Sequence, residues 1–309
     1  MSVAPEPLVS IGLPVRDGER YVGDAVRSVL EQHYDRLELV ISDNASKDGT
    51  EEICREFARS DPRVLYHRQP QNIGLVPNFN AVLHMSRGTY FKWIGDDDWL
   101  TPTYVTRCLE VLDDNPALIL VTTKQAHVAA NGAVAAASYD ASPMRSSRPV
   151  DRFAEILRLV TESHLLLDPL YGMIRQAAIV RLVRPIMLFE DEILAARLAL
   201  AGPFGHIDEV LSYRRSKPFR RLSVTARRLG VPPWQANVAT TLQCRELLLA
   251  VREVDLSPSE RRQASTAIVR MFLRRKRVTA AHRSRKLAGL VSHAVAGPDG
   301  LVSATSRER

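Results

Sequence analysis

The sequence predicts an α/β fold in which a mostly parallel sheet is flanked by helices and followed by a basic helical extension. Three observations support this prediction. Short apolar runs alternate with amphipathic stretches over the first hundred residues, which is the rhythm of strand–helix–strand units. A chain of 309 residues with 45% hydrophobic residues can bury a sizeable core and is long for one average domain. Beyond Arg215 the chain becomes rich in arginine and helical in pattern.

The front part of the chain shows the most regular alternation. Apolar runs predict strands at residues 8–13, 37–41, 64–67 and 90–94. Amphipathic stretches predict helices at residues 21–32, 48–60 and 78–86. The second helix has clear end signals, because Asp48 can cap it, Glu51 suits its positive end and Pro62 ends it.

Beyond residue 100 the pattern is less regular. We predict a strand at residues 118–123, a hairpin turn at 131–132, a polar loop at 138–150 and a strand at 209–213. Helices are predicted at residues 102–114, 151–163, 176–183, 190–201, 236–254 and 258–277. Residues 297–309 are small and polar enough to be disordered.

Cysteine spacing and hydropathy indicate the compartment. Cys54, Cys108 and Cys244 lie far apart and show neither metal-ligand nor disulfide spacing, so we expect core thiols in a reducing environment. The N-terminus lacks a basic region followed by an apolar run, and no stretch reaches the roughly 18 uncharged apolar residues of a membrane span. We therefore expect a cytoplasmic protein.

Charge is unevenly distributed along the chain. Residues 214–309 hold 21 Lys and Arg against 6 Asp and Glu, a net charge of +15, whereas residues 1–213 carry −8. A basic extension behind an acidic body indicates attraction to an anionic partner, such as membrane headgroups, a lipid-phosphate acceptor or nucleic acid. Membrane binding would place the protein at the inner face of the plasma membrane. A solvated helical face explains the same charges, and both interpretations stay open.

Three adjacent carboxylates, Asp96, Asp97 and Asp98, follow the fourth predicted strand and are called the acidic cluster below. They repel one another unless a cation neutralises them, and hard oxygen ligands suit Mg²⁺ or Mn²⁺. Asp43 follows the second strand and so lies on the same rim, outside the carboxyl ends of the strands, where open α/β sheets bind ligands. For the cluster alone, the alternative is a solvated turn in which Asp98 caps the next helix.

Four segments resemble motifs of the family 2 glycosyltransferases, in the order and at the spacing of that family. They are residues 9–21 (VSIGLPVRDGERY), 40–50 (VISDNASKDGT), 72–80 (NIGLVPNFN) and 87–100 (RGTYFKWIGDDDWL). A single segment carries little information, whereas four in the right order indicate the family. The resemblance spans about residues 8–215, and it implies a GT-A-type fold with a Rossmann-like nucleotide-binding half.

The resemblance also implies roles for residues of the donor site. Pro14, Val15 and Arg16 would line the nucleotide pocket. Asp43 would hydrogen-bond the base, and Asp96 would lie near the ribose. The residues alone also allow an Asx turn at Asp43 and a plain surface position for Arg16.

By the same resemblance, Asp97 binds a divalent metal, Mn²⁺ or Mg²⁺, and Asp98 is a second candidate ligand. The family often has aspartate where Gly95 stands, two places before Asp97. An Asp-x-Asp pair can still form from Asp96 and Asp98, so the assignment of roles among the three acids stays open. The metal would stabilise the nucleoside diphosphate that leaves.

A second acidic segment, residues 189–194 (FEDEIL), resembles the Glu-Asp motif on the family's acceptor side. The resemblance makes Asp191 the general base that deprotonates the acceptor, and Glu190 a binder of acceptor hydroxyls. Acids at a helix N-terminus are also favourable without catalysis, which is the alternative. His206, before the last predicted strand, is either structural or close to the metal.

The resemblance, together with these residues, implies an inverting glycosyltransferase that moves a sugar from a nucleoside-diphosphate sugar to a hydroxyl acceptor. The product would be a cell-envelope polysaccharide, a glycolipid or another glycoconjugate, and a lipid-linked acceptor fits the basic extension. Residues 1–215 would form the transferase domain, with the donor bound by about 1–100 and the acceptor by 101–215. Residues 216–309 would form the extension.

Other functions account less well for the sequence. A nucleotidyltransferase would carry a Gly-rich basic triphosphate loop, which residues 14–18 do not form. A dinucleotide-dependent oxidoreductase would need a G-x-G-x-x-G turn after the first strand, and none is there. The alternative from a different class is a catalytically inactive relic that binds membrane or nucleic acid through its extension. Few aromatic residues interleave with the basic runs, which argues against nucleic acid.

Overall fold

A computed structural model describes residues 6–138, 140–162, 169–182, 184–216 and 221–295, with side chains up to residue 277. The strands in this part of the chain are β1 Val9–Val15, β2 Leu37–Asp43, β3 Val64–Arg68, β4 Tyr90–Trp93, β5 Trp99–Leu100, β6 Leu120–Val128, β7 Val134–Ala136, β8 Met173–Arg175 and β9 Phe204–Arg215. The helices are α1 Val22–Leu30, α2 Thr50–Ser60, α3 Leu75–Met85, α4 Tyr104–Asp114, α5 Pro149–Glu162, α6 Gln176–Ile179, α7 Glu190–Ala201, α8 Leu222–Leu229, α9 Gln235–Glu253 and α10 Pro258–Val295. The segment 297–309, predicted to be disordered, lies outside the described residues.

These strands form one sheet in the order β3-β2-β1-β4-β8-β6-β9-β5, with β7 paired to the end of β6. The four front strands, β3, β2, β1 and β4, are all parallel, so their carboxyl ends meet at one edge. In the back part β6 and β9 are parallel, whereas β8 and β5 pair antiparallel with their neighbours. The predicted α/β fold is confirmed, and its back part is a mixed sheet.

The start of β4 is fixed to β1 and β2 by a buried carboxylate. Glu38 is 3% exposed and accepts hydrogen bonds from Ser10 Oγ, from Arg87 N and from the Arg87 guanidinium Nη2, each at 2.7 Å. A Cβ on Gly88 would stand 2.7 Å from the backbone nitrogen of Ser10, so only glycine permits this approach. These contacts fix the position of β4, the strand that leads into the acidic cluster.

Apolar side chains cover both faces of the sheet. One cluster joins the strands to α1, α2 and α4, and the other joins them to α3, α5, α7, α9 and α10. Ala264, Ile268 and Met271 of α10 belong to the same buried cluster as Phe153 of α5 and Leu198 of α7. Burying a large apolar side chain contributes about 1.5–3 kcal/mol. Part of the extension therefore stabilises the body directly.

The structure also shows which predicted boundaries shift. The predicted hairpin after β6 is present, and Gly132 at its turn has a φ of +82°. Helix α3 begins at Leu75, before the predicted start, and β5, β8 and α8 were not predicted. Two or three residues are too few to show a period, which explains the missed strands. In the described part of the chain, no helix is long and apolar enough to cross a membrane.

Candidate active site

The loop after β1 forms one wall of the site and is tied to the loop after β2. Asp17 has a φ of +53°, and its backbone nitrogen donates to Ser46 Oγ at 2.9 Å. The nitrogen of Gly18 donates to Thr50 Oγ1 at 2.8 Å. Pro14 and Val15, at the end of β1, and the following Arg16 line the adjoining cleft, and their contact with a nucleotide stays a prediction.

Asp43 ends β2 but does not line the cleft. Its side chain is fully buried, and its carboxylate accepts hydrogen bonds from Ser46 N at 2.8 Å, Tyr66 Oη at 2.8 Å and Arg68 Nη1 at 2.9 Å. These three donors hold the loop after β2 in place. The base-binding role of Asp43 stays a prediction.

The acidic cluster follows β4 on the same rim of the sheet. Asp98 is 7% exposed, and its Oδ2 lies 3.4 Å from Arg214 Nε. A Cβ on residue 95 would stand 2.7 Å from this Asp98 oxygen, so Gly95 leaves room for the carboxylate to fold back. Asp96 and Asp97 are half-buried and line the cleft.

Asp96 lies against the loop that follows β1. A Cβ on Gly18 would stand 2.8 Å from Asp96 Oδ2 and 2.7 Å from a methyl group of Val15. Glycine at position 18 therefore lets the donor loop and the acidic cluster approach each other. This contact fits the predicted place of Asp96 in the donor site.

The residues present fit a metal shared with the substrate. Among the described residues, no group of three or more His, Cys, Asp or Glu side chains could hold an ion by itself. Mg²⁺ and Mn²⁺ sites in phosphate-transferring enzymes use one or two carboxylates together with phosphate oxygens. Asp98 faces Arg214, and Asp97 lines the cleft beside it.

The start of α7 forms another part of the cleft wall. Arg184 Nε donates to Glu190 Oε2 at 2.8 Å, and both side chains are less than one tenth exposed. Asp191 is exposed and lines the cleft, and its Oδ1 accepts a hydrogen bond from Glu192 N at 2.9 Å. Glu190 is thus engaged by an arginine as well as placed at the cleft.

The two acidic segments, distant in sequence, face one cleft of about 820 Å³. Its lining includes every predicted site residue except Asp43: Pro14, Val15, Arg16, Asp96, Asp97, Asp98, Glu190 and Asp191. A cleft of this volume suits a ligand of nucleotide-sugar size.

Arginines of the cleft were missed by sequence reasoning. Arg184, Arg214, Arg215, Arg227 and Arg228 line it. The guanidinium carbon of Arg214 lies 4.0 Å from the centre of the Tyr171 ring, and that of Arg215 lies 4.1 Å from the Tyr21 ring. The adjacent arginines Arg214 and Arg215 at the end of β9 are a sequence feature from which this basic lining could have been predicted.

His206 contacts β6. It lies on β9, where its Nδ1 is 2.9 Å from Thr122 Oγ1, and it is not among the cleft-lining residues. Burial lowers the pKa of His206 to about 4. An approach of His206 to the metal, one of the two interpretations of the sequence, stays a prediction.

Comparison with known proteins identifies related sequences. Residues 10–164 match the family model described as glycosyl transferase family 2. The chain is 34% identical over 97 residues to the glycosyltransferase GlyA of Streptococcus pneumoniae, covering 31% of this chain and 14% of that protein. It is 25% identical over 268 residues to the chondroitin synthase of Escherichia coli, covering 81% of this chain and 37% of that protein. The chain thus spans well under half of these relatives.

Solved structures share the fold. The complex of Staphylococcus aureus TarS 1-349 with UDP-GlcNAc superposes with a TM-score of 0.63 at 16% identity, covering 85% of this chain and 72% of that chain. The mannosyltransferase PcManGT of Pyrobaculum calidifontis, solved with GDP-Man and Mn²⁺, has a TM-score of 0.56 at 17% identity, covering 95% and 82%. At such identities the likeness shows the fold alone.

Proposed function

The chain belongs to glycosyl transferase family 2, and from this premise we propose that it moves a sugar from a nucleoside-diphosphate sugar to a hydroxyl acceptor, with inversion of the anomeric carbon. One observation carries the proposal. The acidic cluster after β4 and Asp191 at the start of α7 face the same cleft. A donor held at the first would present its sugar to an acceptor held at the second.

Asp191 would act as the general base. An acceptor hydroxyl is a poor nucleophile at neutral pH, and a carboxylate within hydrogen-bond reach takes its proton as the new C–O bond forms. Asp191 is exposed to the cleft, whereas its neighbour Glu190 is paired with Arg184. We assign Glu190 the binding of acceptor hydroxyls through the part of its carboxylate that faces the cleft. Direct attack by the acceptor inverts the anomeric carbon.

The donor would lie between the loop after β1 and the acidic cluster. Pro14, Val15 and Arg16 would contact the nucleotide, and Asp96 would contact the ribose. Asp43 would act on the base side through the loop after β2, which its buried carboxylate holds in place. Cleft arginines such as Arg215 are placed to stabilise the charge of the departing diphosphate, because fixed cations in a partly enclosed site act strongly on developing charge.

Asp97, with Asp98 beside it, would hold a divalent metal, Mn²⁺ or Mg²⁺. When bound, the ion would neutralise negative charge on the leaving diphosphate. The structural neighbour PcManGT was solved with GDP-Man and Mn²⁺, which supports the choice of ion. The protein need not supply all the metal ligands, since phosphate oxygens of the substrate complete such sites.

The extension would bring this chemistry to an anionic membrane surface. Arg270, Lys276 and Arg277 of α10 are exposed, and so are the apolar Val269 and Leu273 of the same helix. Apolar side chains framed by basic ones suit the interface of an anionic leaflet. We propose that residues 1–215 carry out the transfer in the cytoplasm, at the inner face of the plasma membrane, on a lipid-linked or polysaccharide acceptor.

A ligand screen tests the proposal. Thermal shifts would be measured with nucleoside diphosphates and their sugars, with and without Mn²⁺, followed by a search for nucleoside-diphosphate release with sugar acceptors. A metal-dependent shift with one donor and release of its nucleoside diphosphate would support glycosyl transfer. Release of pyrophosphate from a nucleoside triphosphate would indicate a nucleotidyltransferase, and the absence of any nucleotide binding would indicate a relic.

A further inference from the structure

Arg275 of α10 contacts residues on both sides of Asp191. Its Nη2 lies 2.5 Å from Glu192 Oε2, and its guanidinium carbon lies 4.4 Å from the centre of the Phe189 ring. The Arg275 and Glu192 side chains are only 16% and 18% exposed. A residue of the extension therefore holds the first turn of α7, from which Asp191 faces the cleft.

Gln243 of α9 completes this contact. Arg275 Nη1 donates to Gln243 Oε1 at 3.0 Å, and Gln243 Nε2 donates to Glu192 Oε2 at 2.7 Å. Gln243 is fully buried, so the three side chains form a network with little freedom. Burial raises the pKa of Glu192, and the charge of Arg275 opposes that rise.

Phe189 needs such support because of its backbone. It has a φ of +64° and a ψ of +27°, in the left-handed region that residues other than glycine rarely adopt because of steric strain. Its carbonyl accepts the hydrogen bond of Ile193 N at 3.0 Å, which begins α7. Strained residues of this kind persist where surrounding contacts over-determine them, and the stacked Arg275 is one of those contacts.

We propose that Arg275 is a positioning residue for Asp191: it neutralises Glu192 and stacks on Phe189, and thereby fixes the turn that presents Asp191 to the acceptor. This inference rests on the proposed role of Asp191 as general base. Without Arg275, the Glu192 carboxylate would be left buried beside Asp191 with its charge uncompensated, which favours either protonation of Glu192 or displacement of the turn.

The test compares Arg275→Met with Arg274→Met in the full-length chain. Arg274 is the adjacent residue, is 49% exposed and pairs with Glu162, so it controls for loss of a basic residue from α10. The readouts are kcat for nucleoside-diphosphate release, with water as acceptor where no sugar acceptor is known, and Kd for UDP or GDP with Mn²⁺. We expect Arg275→Met to lower kcat by about tenfold to a hundredfold with Kd unchanged, and Arg274→Met to match the wild type.

Two further variants separate positioning from folding. Adding Glu192→Gln to Arg275→Met removes the uncompensated carboxylate and should restore part of the lost kcat. Arg275→Lys keeps the charge and should lower kcat only a few-fold. This variant allows a measurement even if Arg275→Met does not fold. A kcat for both Arg275 variants equal to that of Arg274→Met would overturn the inference, and so would a parallel loss of nucleotide affinity. An unchanged kcat in Asp191→Asn would instead overturn the proposed base.

Discussion

Gly18 and Asp96 touch across the donor side of the cleft: a Cβ on Gly18 would stand 2.8 Å from Asp96 Oδ2. We predict that Gly18→Ala displaces the Asp96 carboxylate and lowers nucleotide-sugar affinity roughly tenfold, equivalent to about 1.4 kcal/mol. Protein stability should also fall, by about 1–3 kcal/mol, because the same Cβ would stand 2.7 Å from a methyl group of Val15, a buried β-branched residue with little freedom to move. Isothermal titration and thermal unfolding measure the two effects.

The matched control for this prediction is Gly23→Ala in α1. The nearest atom to a Cβ there is Arg27 Nη2 at 3.3 Å, which belongs to an exposed side chain that can move. Alanine in a helix should stabilise the protein by about 0.5–1 kcal/mol without changing affinity. Equal affinities of the two variants would contradict the placement of Asp96 at the donor.

The metal assignment predicts a specific loss in Asp97→Ala. Removing one of three neighbouring carboxylates relieves repulsion, so the fold should remain intact while Mn²⁺-dependent donor binding and turnover are abolished. Asp114→Ala, at an exposed carboxylate ending α4, is the control. Donor titrations with and without Mn²⁺, together with turnover assays, test this prediction. Turnover of Asp97→Ala at the wild-type rate would show that Asp97 does not bind the metal.

Glu38 predicts a pH-dependent contribution to stability. Burial alone would raise its pKa, but hydrogen bonds from Ser10 and Arg87 outweigh burial and hold the pKa below the ordinary value of 4.5. A lowered folded-state pKa contributes stability that is fully present above pH 4.5 and is lost as the pH falls through the folded value. Glu38→Gln should therefore cost about 1.5–3 kcal/mol at neutral pH and progressively less in acid.

Urea unfolding from pH 7 to pH 3 measures this difference. Glu52→Gln, at an exposed position of α2, supplies the control and should follow the wild type throughout. The difference in the free energy of unfolding between the wild type and Glu38→Gln should shrink in acid. A difference that stays constant down to pH 3 would show that the charge of Glu38 does not stabilise the start of β4.

The membrane proposal predicts salt-sensitive binding to vesicles that contain phosphatidylserine. Each basic residue near an anionic leaflet contributes about 1 kcal/mol, so reversing Arg270, Lys276 and Arg277 to Glu should abolish co-sedimentation at low salt. The control reverses three exposed arginines of α1 and α2, namely Arg27, Arg55 and Arg59. Failure of the wild type to bind, or equal loss in both variants, would assign the basic surface to another role. Substitution is preferred to truncation, because α10 contributes to the buried core.

Periodicity predicted the elements that are long enough to show it. Strands β1 to β4 and helices α1 to α4 all fall near the predicted ranges, since each buries one face of a regular pattern. The acidic cluster was likewise placed correctly at the end of β4, because parallel strands bring their carboxyl ends to one edge.

Pairings between distant residues could not be predicted in this way. Arg214 beside Asp98 and Arg275 beside Glu192 depend on how helices and strands far apart in the chain pack together. A sequence pattern reports the local period of each element but not which of many arginines faces a given acid. The sequence therefore does not predict that the extension packs on α7 beside the site.

The most direct test of the account is the effect of Asp191→Asn on kcat and on donor affinity, with Asp208→Asn as the control. Asp208 is an exposed aspartate on β9 that pairs with Lys124 and does not line the cleft. We predict that Asp191→Asn lowers kcat by at least roughly a hundredfold and leaves the Kd of the nucleotide sugar unchanged, because it removes proton abstraction rather than binding. An unchanged kcat, or a large loss of donor affinity with kcat intact, would contradict the assignment of Asp191 as the general base.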